Sequence, residues 1–74
     1  MINYREHIEI DANVRFGRPV IKGTRISVSE VLNWLANEMS IAEILEDYPQ
    51  LKKEAIQSCL LYAADKEHNI RIAS

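Results

Sequence analysis

The sequence predicts a mainly α-helical fold, in which three helices form a helix-turn-helix domain preceded by a short β hairpin or arm. Three segments after residue 27 repeat apolar residues at helical spacing, whereas residues 1–28 contain short extended stretches and turn residues. The 74 residues, 47% hydrophobic and 27% charged, suit a single globular domain. We expect one domain over 1–74, with an arm at 1–28, a helical core at 28–68 and a tail at 69–74.

Two short extended segments are predicted in the arm. Ile8-Glu9-Ile10 alternates apolar and charged residues as a half-buried strand does, and Asp11-Ala12-Asn13 supplies turn residues behind it. Pro19–Lys22 and Arg25–Val28 flank the pair Gly23-Thr24, and a two-residue loop with glycine first favours a type II′ hairpin turn. In the register of this hairpin, Ile21 lies opposite Ile26 and Lys22 lies opposite Arg25.

Capping boxes predict where the first two helices begin. Ser27 with Glu30, and Ser40 with Glu43, each place a hydroxyl and a carboxylate at the spacing that satisfies the free amides of a helix start. Apolar residues follow each box at positions i, i+3, i+4 and i+7, and Pro49 ends the second segment. These residues are Val28, Val31, Leu32 and Leu35, then Ile41, Ile44, Leu45 and Tyr48.

The third and longest helix is predicted from Lys52 or Lys53 to about Lys66. The short link Pro49-Gln50-Leu51 joins it to the second helix, as in a helix-turn-helix unit. Its apolar face is predicted to hold Ile56, Cys59, Leu60 and Ala63, and its outer face Glu54, Gln57, Ser58, Leu61 and Asp65. Because Cys59 lies on the apolar face, we expect a buried thiol of raised pKa and not a nucleophile.

Residues that could carry catalysis or bind a metal are few. His7 and His68 are the two histidines, one near each end, and Cys59 has no second cysteine to pair with. We therefore expect no catalytic residues, no metal, no cofactor and no small-molecule substrate. Charges among the first residues, and no apolar run near the roughly 20 residues that span a bilayer, predict a cytoplasmic protein without a membrane partner.

The basic residues point to an anionic partner, although the net charge is -2. The stretch from Arg15 to Arg25 also holds Arg18 and Lys22 and contains no acid. Lys22 and Arg25, opposed at the hairpin tip, repel each other until an anion such as phosphate approaches. The alternative is a solvated turn whose side chains splay apart.

A helix-turn-helix interpretation adds candidate DNA-binding residues at the start of the third helix. There Lys53, Glu54, Gln57 and Ser58 are expected to point outward into a major groove. Lys52 and Lys53 would hold phosphates and Gln57 would read adenine, while Glu54 and Asp65 would repel the DNA backbone. A three-helix unit that binds only proteins remains the alternative.

Candidate protein-binding residues lie off the apolar stripes. Trp34, Leu61 and Tyr62 represent much apolar surface for a small domain, and Leu61 is the strongest candidate for an interface. A core wide enough to cover Trp34 and Tyr62 is the alternative. In the tail, Ile70, Arg71 and Ile72 alternate as in a strand added to a partner's sheet edge, and the alternative is a frayed terminus.

With these residues in view, the sequence resembles the domain of unknown function 433 family of small bacterial proteins, which are regarded as VapB-like antitoxins. The resemblance runs from about Ile8 to Ala64. It is carried by GRPVIKGTRI at 17–26, Val31-Leu32, Leu35-Ala36, Met39-Ser40, Glu43-Ile44-Leu45, Asp47-Tyr48-Pro49, Leu51 and Tyr62-Ala63-Ala64.

The resemblance implies a homeodomain-like domain behind a β arm, and a gene paired with that of a PIN-like ribonuclease toxin. The antitoxin would inhibit this nuclease, and the pair would bind its own operator DNA. We expect a homodimer, because of the small size of the chain and because of the arm. We expect Arg71 to pair with the nuclease's metal-binding carboxylates, an inference of our own that Arg71→Ala would test by weakening inhibition.

Three positions depart from the family pattern. Glu38 stands where glycine is common, so the first helix is expected to end with Asn37 in the left-handed conformation or without that cap. Lys52 replaces a usual threonine or serine N-cap, and Ala55 replaces a usual acid, which makes the start of the third helix weaker but more basic.

The sequence is therefore compatible with three functions. The leading one is an antitoxin with DNA-binding capacity. The alternatives are a stand-alone helix-turn-helix transcriptional regulator and a protein-interaction adaptor that binds no nucleic acid.

Overall fold

The computed structural model describes residues 2–68, without the side chain of His68. Within them, three α-helices follow a two-stranded antiparallel sheet, which confirms the predicted mainly α-helical class with three helices. A single turn of 3-10 helix at Tyr4–Glu6 and a tight turn of left-handed backbone at Arg15–Gly17 lie in the arm. The elements are β1 (Ile8–Glu9), β2 (Val20–Ile21), α1 (Val28–Ala36), α2 (Ile41–Asp47) and α3 (Lys53–His68). No helix in this part of the chain has the length and apolar character needed to cross a membrane.

The strands pair in a register that buries one residue of each. Ile8 lies opposite Ile21, and both are buried. Ile10 was expected to share the buried face with Ile8, but it is 61% exposed because β1 ends at Glu9 and the chain turns away. That turn matches its predicted residues, since the amide of Asn13 donates to the Asp11 carboxylate at 2.9 Å.

The turn after β2 keeps the predicted register but has a different type. The amide of Ile21 donates to the Ile26 carbonyl at 2.9 Å, as predicted. The type II′ turn centred on Gly23-Thr24 is wrong, because the Ile21 carbonyl accepts the Thr24 amide and so makes Lys22 and Gly23 the central residues. Gly23 has φ +79°, as the third residue of a type II turn requires.

The Thr24 hydroxyl explains this choice of turn. It donates to the Ile21 carbonyl at 2.8 Å and accepts from the Ile26 amide at 3.0 Å. Thr24 is thus the fourth residue of the turn, and its hydroxyl links the two sides of the loop. The amide of Lys22 donates to the His7 carbonyl at 2.8 Å, which ties the turn to the end of the 3-10 turn before β1 and not to Arg25.

Both predicted capping boxes are present. The Glu30 amide donates to Ser27 Oγ at 3.2 Å, and the Glu43 amide donates to Ser40 Oγ at 3.1 Å. In return, the backbone amide of each serine donates to the carboxylate of its glutamate. Hydrogen bonds from Ser40 hold the pKa of Glu43 below its ordinary value.

The end of α1 differs from the expectation. Asn37 has φ -93° and is not left-handed, whereas Glu38 has φ +68° and takes the left-handed position itself. The side-chain amide of Asn37 donates to the Asn33 carbonyl at 2.7 Å, which holds Asn37 against the last turn of α1, and the reversal follows one residue later. Glycine is the residue that this left-handed position favours.

The buried face of α3 is rotated from the predicted one. Ile56 and Cys59 are fully buried, as expected, but Leu60 is 44% exposed. Ser58, expected on the outer face, is fully buried, and its hydroxyl donates to the Glu54 carbonyl at 2.7 Å. Because that hydroxyl is satisfied within the helix, Ser58 is buried without an unpaired polar group.

The core is closed by the N-terminal segment, which packs on α3. The rings of Tyr4 and Tyr62 meet edge to face, with centroids 5.6 Å apart, and the Tyr4 hydroxyl donates a hydrogen bond to the Asp65 carboxylate. This bond raises the pKa of Tyr4 above its ordinary value. The side chains buried at the centre include Val20, Val31, Ile44, Ile56 and Cys59.

Candidate functional site

A small groove lies at the N-terminal end of α3, where the turn after β2 meets the link from α2. We call it the basic groove, because Lys22 from the turn and Lys52 from the link both border it, together with His7. Both lysines are exposed. The volume is about 190 Å³, and the remaining lining residues are Ile21, Thr24, Gln50, Leu51 and Ala55.

The electrostatics of the basic groove favour an anion. Two lysine ammonium groups border it, and the 16-residue helix α3 directs its positive dipole end toward it. Glu54 in the first turn of α3 opposes this field in part. Phosphate oxygens accept hydrogen bonds from lysine ammonium groups and from the free amides at a helix start.

The predicted arginines do not form one cluster. Arg15 Nη2 lies 2.9 Å from the Glu30 carboxylate, and Arg15 Nη1 donates to the Arg25 carbonyl at 3.5 Å. Arg15 is thus beside Arg25, as expected if the two segments lie alongside, but its charge is balanced by Glu30. Arg25 is exposed, whereas Arg18 borders a different groove, together with Lys66.

The outward face of α3 matches the prediction only in part. Lys53 and Glu54 are exposed and Gln57 is half-buried, so these three remain available at the surface. Ser58 is buried, and the prediction that it points outward into a groove of DNA is wrong.

Two wider grooves border the C-terminal half of α3. The first, which we call the α1–α3 groove, has a volume of about 560 Å³ and is mostly apolar. The second, which we call the N-terminal groove, has a volume of about 620 Å³. The α1–α3 groove is lined by Arg18, Pro19, Val28, Ser29, Leu32, Tyr62, Ala63, Lys66 and Glu67, and the N-terminal groove by Ile2, Asn3, Tyr4, Arg5, Leu61, Ala64 and Asp65.

The predicted protein-binding residues divide between these regions and the core. Trp34 is half-buried and stacks on Tyr48, with ring centroids 4.6 Å apart. Tyr62 is half-buried and borders the α1–α3 groove, whereas Leu61 is 41% exposed and borders the N-terminal groove. The predicted tail residues Ile70, Arg71 and Ile72 lie outside the described residues.

Cys59 is a core residue, as expected. Its side chain is fully buried, and burial raises the pKa of the thiol to about 12. Within residues 2–68, no group of three or more His, Cys, Asp or Glu side chains is placed to hold a metal ion.

Sequence reasoning missed Phe16. Its side chain is fully exposed, on a loop where Arg15, Phe16 and Gly17 all have positive φ. The available signal was an aromatic residue directly before a glycine, in a stretch without helical or strand periodicity.

Comparison with known proteins gives one match. A family model described as "Protein of unknown function (DUF433)" matches residues 8–63. The match includes both strands, α1, α2 and most of α3. No curated protein and no solved structure matches the chain.

Proposed function

The chain belongs to the DUF433 family, and we propose that it is a non-catalytic cytoplasmic antitoxin of a type II toxin–antitoxin pair. In this role it binds and neutralises a PIN-like ribonuclease and binds operator DNA. One observation carries the proposal: surfaces of different chemistry lie at the two ends of α3. The basic groove borders its start, and the two apolar grooves border its C-terminal half. Along the helix axis, Lys52 and Tyr62 are about 15 Å apart, so both surfaces can be occupied together.

The basic groove supports the DNA-binding half of the proposal. α2, the link at 48–52 and α3 follow one another in helix-turn-helix order. With the start of α3 at the DNA, Lys22, Lys52 and Lys53 contact phosphates, and Gln57 lies where a side chain reads base edges. In a homodimer, two such helices would lie roughly 34 Å apart, one turn of DNA.

Removing either lysine of the basic groove should weaken DNA binding in a salt-dependent way. Each phosphate contact contributes about 0.9 to the slope of log affinity against log salt. We expect Lys22→Ala and Lys52→Ala each to lower that slope by about 1 and to weaken binding about 5- to 10-fold at roughly 0.1 M salt. Fluorescence anisotropy with a duplex from the gene's own upstream region measures both quantities.

Lys66→Ala is the matched control for these two variants. It removes the same charge from the other end of α3, where Lys66 borders the α1–α3 groove. Its salt slope should equal that of the unmodified protein. Equal slopes for all three variants would contradict phosphate binding at the basic groove.

The grooves along the C-terminal half of α3 support the protein-binding half of the proposal. Leu61 is 41% exposed beside Ala64 and Tyr4 in the N-terminal groove, which gives a partner an apolar surface at the edge of the core. Apolar side chains at the centre of such a surface contribute most of the binding free energy in many interfaces.

Leu61→Asp should abolish neutralisation of the nuclease without unfolding the domain. A carboxylate buried against an apolar partner surface is strongly unfavourable, so we expect co-purification with the product of the adjacent gene to fall by more than about tenfold. Growth of cells expressing that product should then stop. Leu60→Asp is the control, since Leu60 is exposed to the same degree and borders neither groove.

The same two assays separate the alternatives. DNA binding without any effect on the adjacent gene product would indicate a stand-alone transcriptional regulator. Partner binding without DNA binding, even at roughly 50 mM salt, would indicate a protein-interaction adaptor.

A further inference from the structure

Phe16 is an aromatic side chain held wholly in solvent. It is 100% exposed, whereas the other exposed large apolar side chains among the described residues, Ile10, Leu60 and Leu61, are 61% exposed or less. Covering this ring with a partner would remove a large apolar surface from water, which is strongly favourable.

The loop that carries Phe16 is fixed in an unusual conformation. Arg15, Phe16 and Gly17 have φ values of 52°, 58° and 82°, in the left-handed region that residues with a Cβ disfavour. Two hydrogen bonds close the turn, from the Gly17 amide to the Val14 carbonyl at 3.2 Å and from the Arg18 amide to the Arg15 carbonyl at 3.1 Å. Strained backbone of this kind clusters at binding sites.

A contact with α1 holds the loop in place. The Arg15 guanidinium lies 2.9 Å from the Glu30 carboxylate, and that carboxylate also completes the capping box of α1. The loop is therefore fastened to the first turn of a helix. An aromatic ring on such a loop is positioned before the partner arrives, which lowers the entropic cost of binding.

The charged residues near Phe16 in the sequence indicate which partner covers it. From Ala12 to Ser29 the four charged residues are all cations, of which Arg15 is paired with Glu30 and Arg18, Lys22 and Arg25 are exposed. An apolar pocket of a protein needs no cations around it, whereas nucleic acid offers flat aromatic bases between phosphates. An aromatic side chain among arginines and lysines is the arrangement that single-stranded and bent double-stranded nucleic acids bind.

We propose that Phe16 stacks on a base of the nucleic acid bound through the exposed cations of the arm, Arg18, Lys22 and Arg25, as a residue that contacts bases and not phosphates. The base is either unpaired or part of a deformable duplex step. This inference rests on the proposed DNA binding and adds a contact that depends on the aromatic ring and not on charge.

Stacking and phosphate contacts respond differently to salt, and this difference provides the test. Phe16→Ala should weaken binding about 5- to 100-fold and leave the salt slope unchanged, because no counterion is released by stacking. Lys22→Ala should lower the slope. Phe16→Trp should bind with the affinity of the unmodified protein, because indole stacks on bases at least as well as a phenyl ring.

The probes are a duplex from the gene's own upstream region and one of its strands alone, each titrated by fluorescence anisotropy over a salt series. A larger loss for the single strand assigns stacking to an unpaired base, and a larger loss for the duplex assigns it to a deformable step. Ile10→Ala is the control, since it removes another exposed apolar side chain from the arm. Thermal unfolding of Phe16→Ala should match that of the unmodified protein.

Equal affinities of Phe16→Ala and the unmodified protein for both probes would overturn the inference and leave the proposed function standing. Loss of co-purification with the adjacent gene product, with unchanged DNA binding, would assign Phe16 to a protein pocket and overturn it as well. If the unmodified protein binds neither probe, the DNA-binding half of the proposed function fails together with this inference.

Discussion

Ile56→Ala should destabilise the fold by about 2–5 kcal/mol, the range for removing a large aliphatic side chain from a packed core. Ile56 is fully buried on α3, within the cluster that joins this helix to the sheet and to α1 and α2. A domain of this size has only about 4–11 kcal/mol of stability, at roughly 0.05–0.15 kcal/mol per residue. The variant should therefore be largely unfolded well below the transition temperature of the unmodified protein. Urea unfolding followed by circular dichroism measures the change.

Leu60→Ala is the matched comparison for Ile56→Ala. The two residues lie one helical turn apart, and the sequence pattern places both on the buried face. The structure leaves Leu60 44% exposed, so its replacement should cost less than about 1 kcal/mol. Similar losses for the two variants would show that α3 buries the face predicted from the sequence and not the face observed.

The starts of α1 and α2 could be predicted from the sequence because local residues determine them. Ser27 with Glu30, and Ser40 with Glu43, form their capping boxes within four residues of chain. The buried face of α3 could not be predicted in the same way. Leu60 and Leu61 make its pattern apolar on several sides, and packing of the N-terminal segment decides which side is covered.

The basic residues of the candidate site were predicted one by one, but their arrangement depends on tertiary structure. Lys22 and Lys52 border one groove only because the turn after β2 packs beside the link before α3. Arg18 belongs to the same charged stretch of sequence and borders another groove. The loop that carries Phe16 is likewise joined to α1 by the contact between Arg15 and Glu30, which no short-range pattern encodes.

The Cys59 thiol should make the stability of the domain fall as the pH rises through the alkaline range. Burial raises its pKa to about 12 in the folded protein, whereas an exposed cysteine in the unfolded chain ionises near about 8.5. Between these values the folded state keeps a proton that the unfolded state has lost. The contribution is therefore fully present below pH of about 8.5 and declines by roughly 1.4 kcal/mol per pH unit above it.

Cys59→Ala isolates this effect, because it removes the thiol and leaves every other titrating group in place. Tyr4 also has a raised pKa, which acts in the same direction and cancels in the comparison. The difference in unfolding free energy between the two proteins should shift by about 2 kcal/mol between pH 8.5 and pH 10, in favour of Cys59→Ala. Parallel pH profiles from urea unfolding would contradict a buried neutral thiol. Slow alkylation of native Cys59, about 10³-fold slower than in the unfolded chain at pH 8, is the independent chemical sign of the same burial.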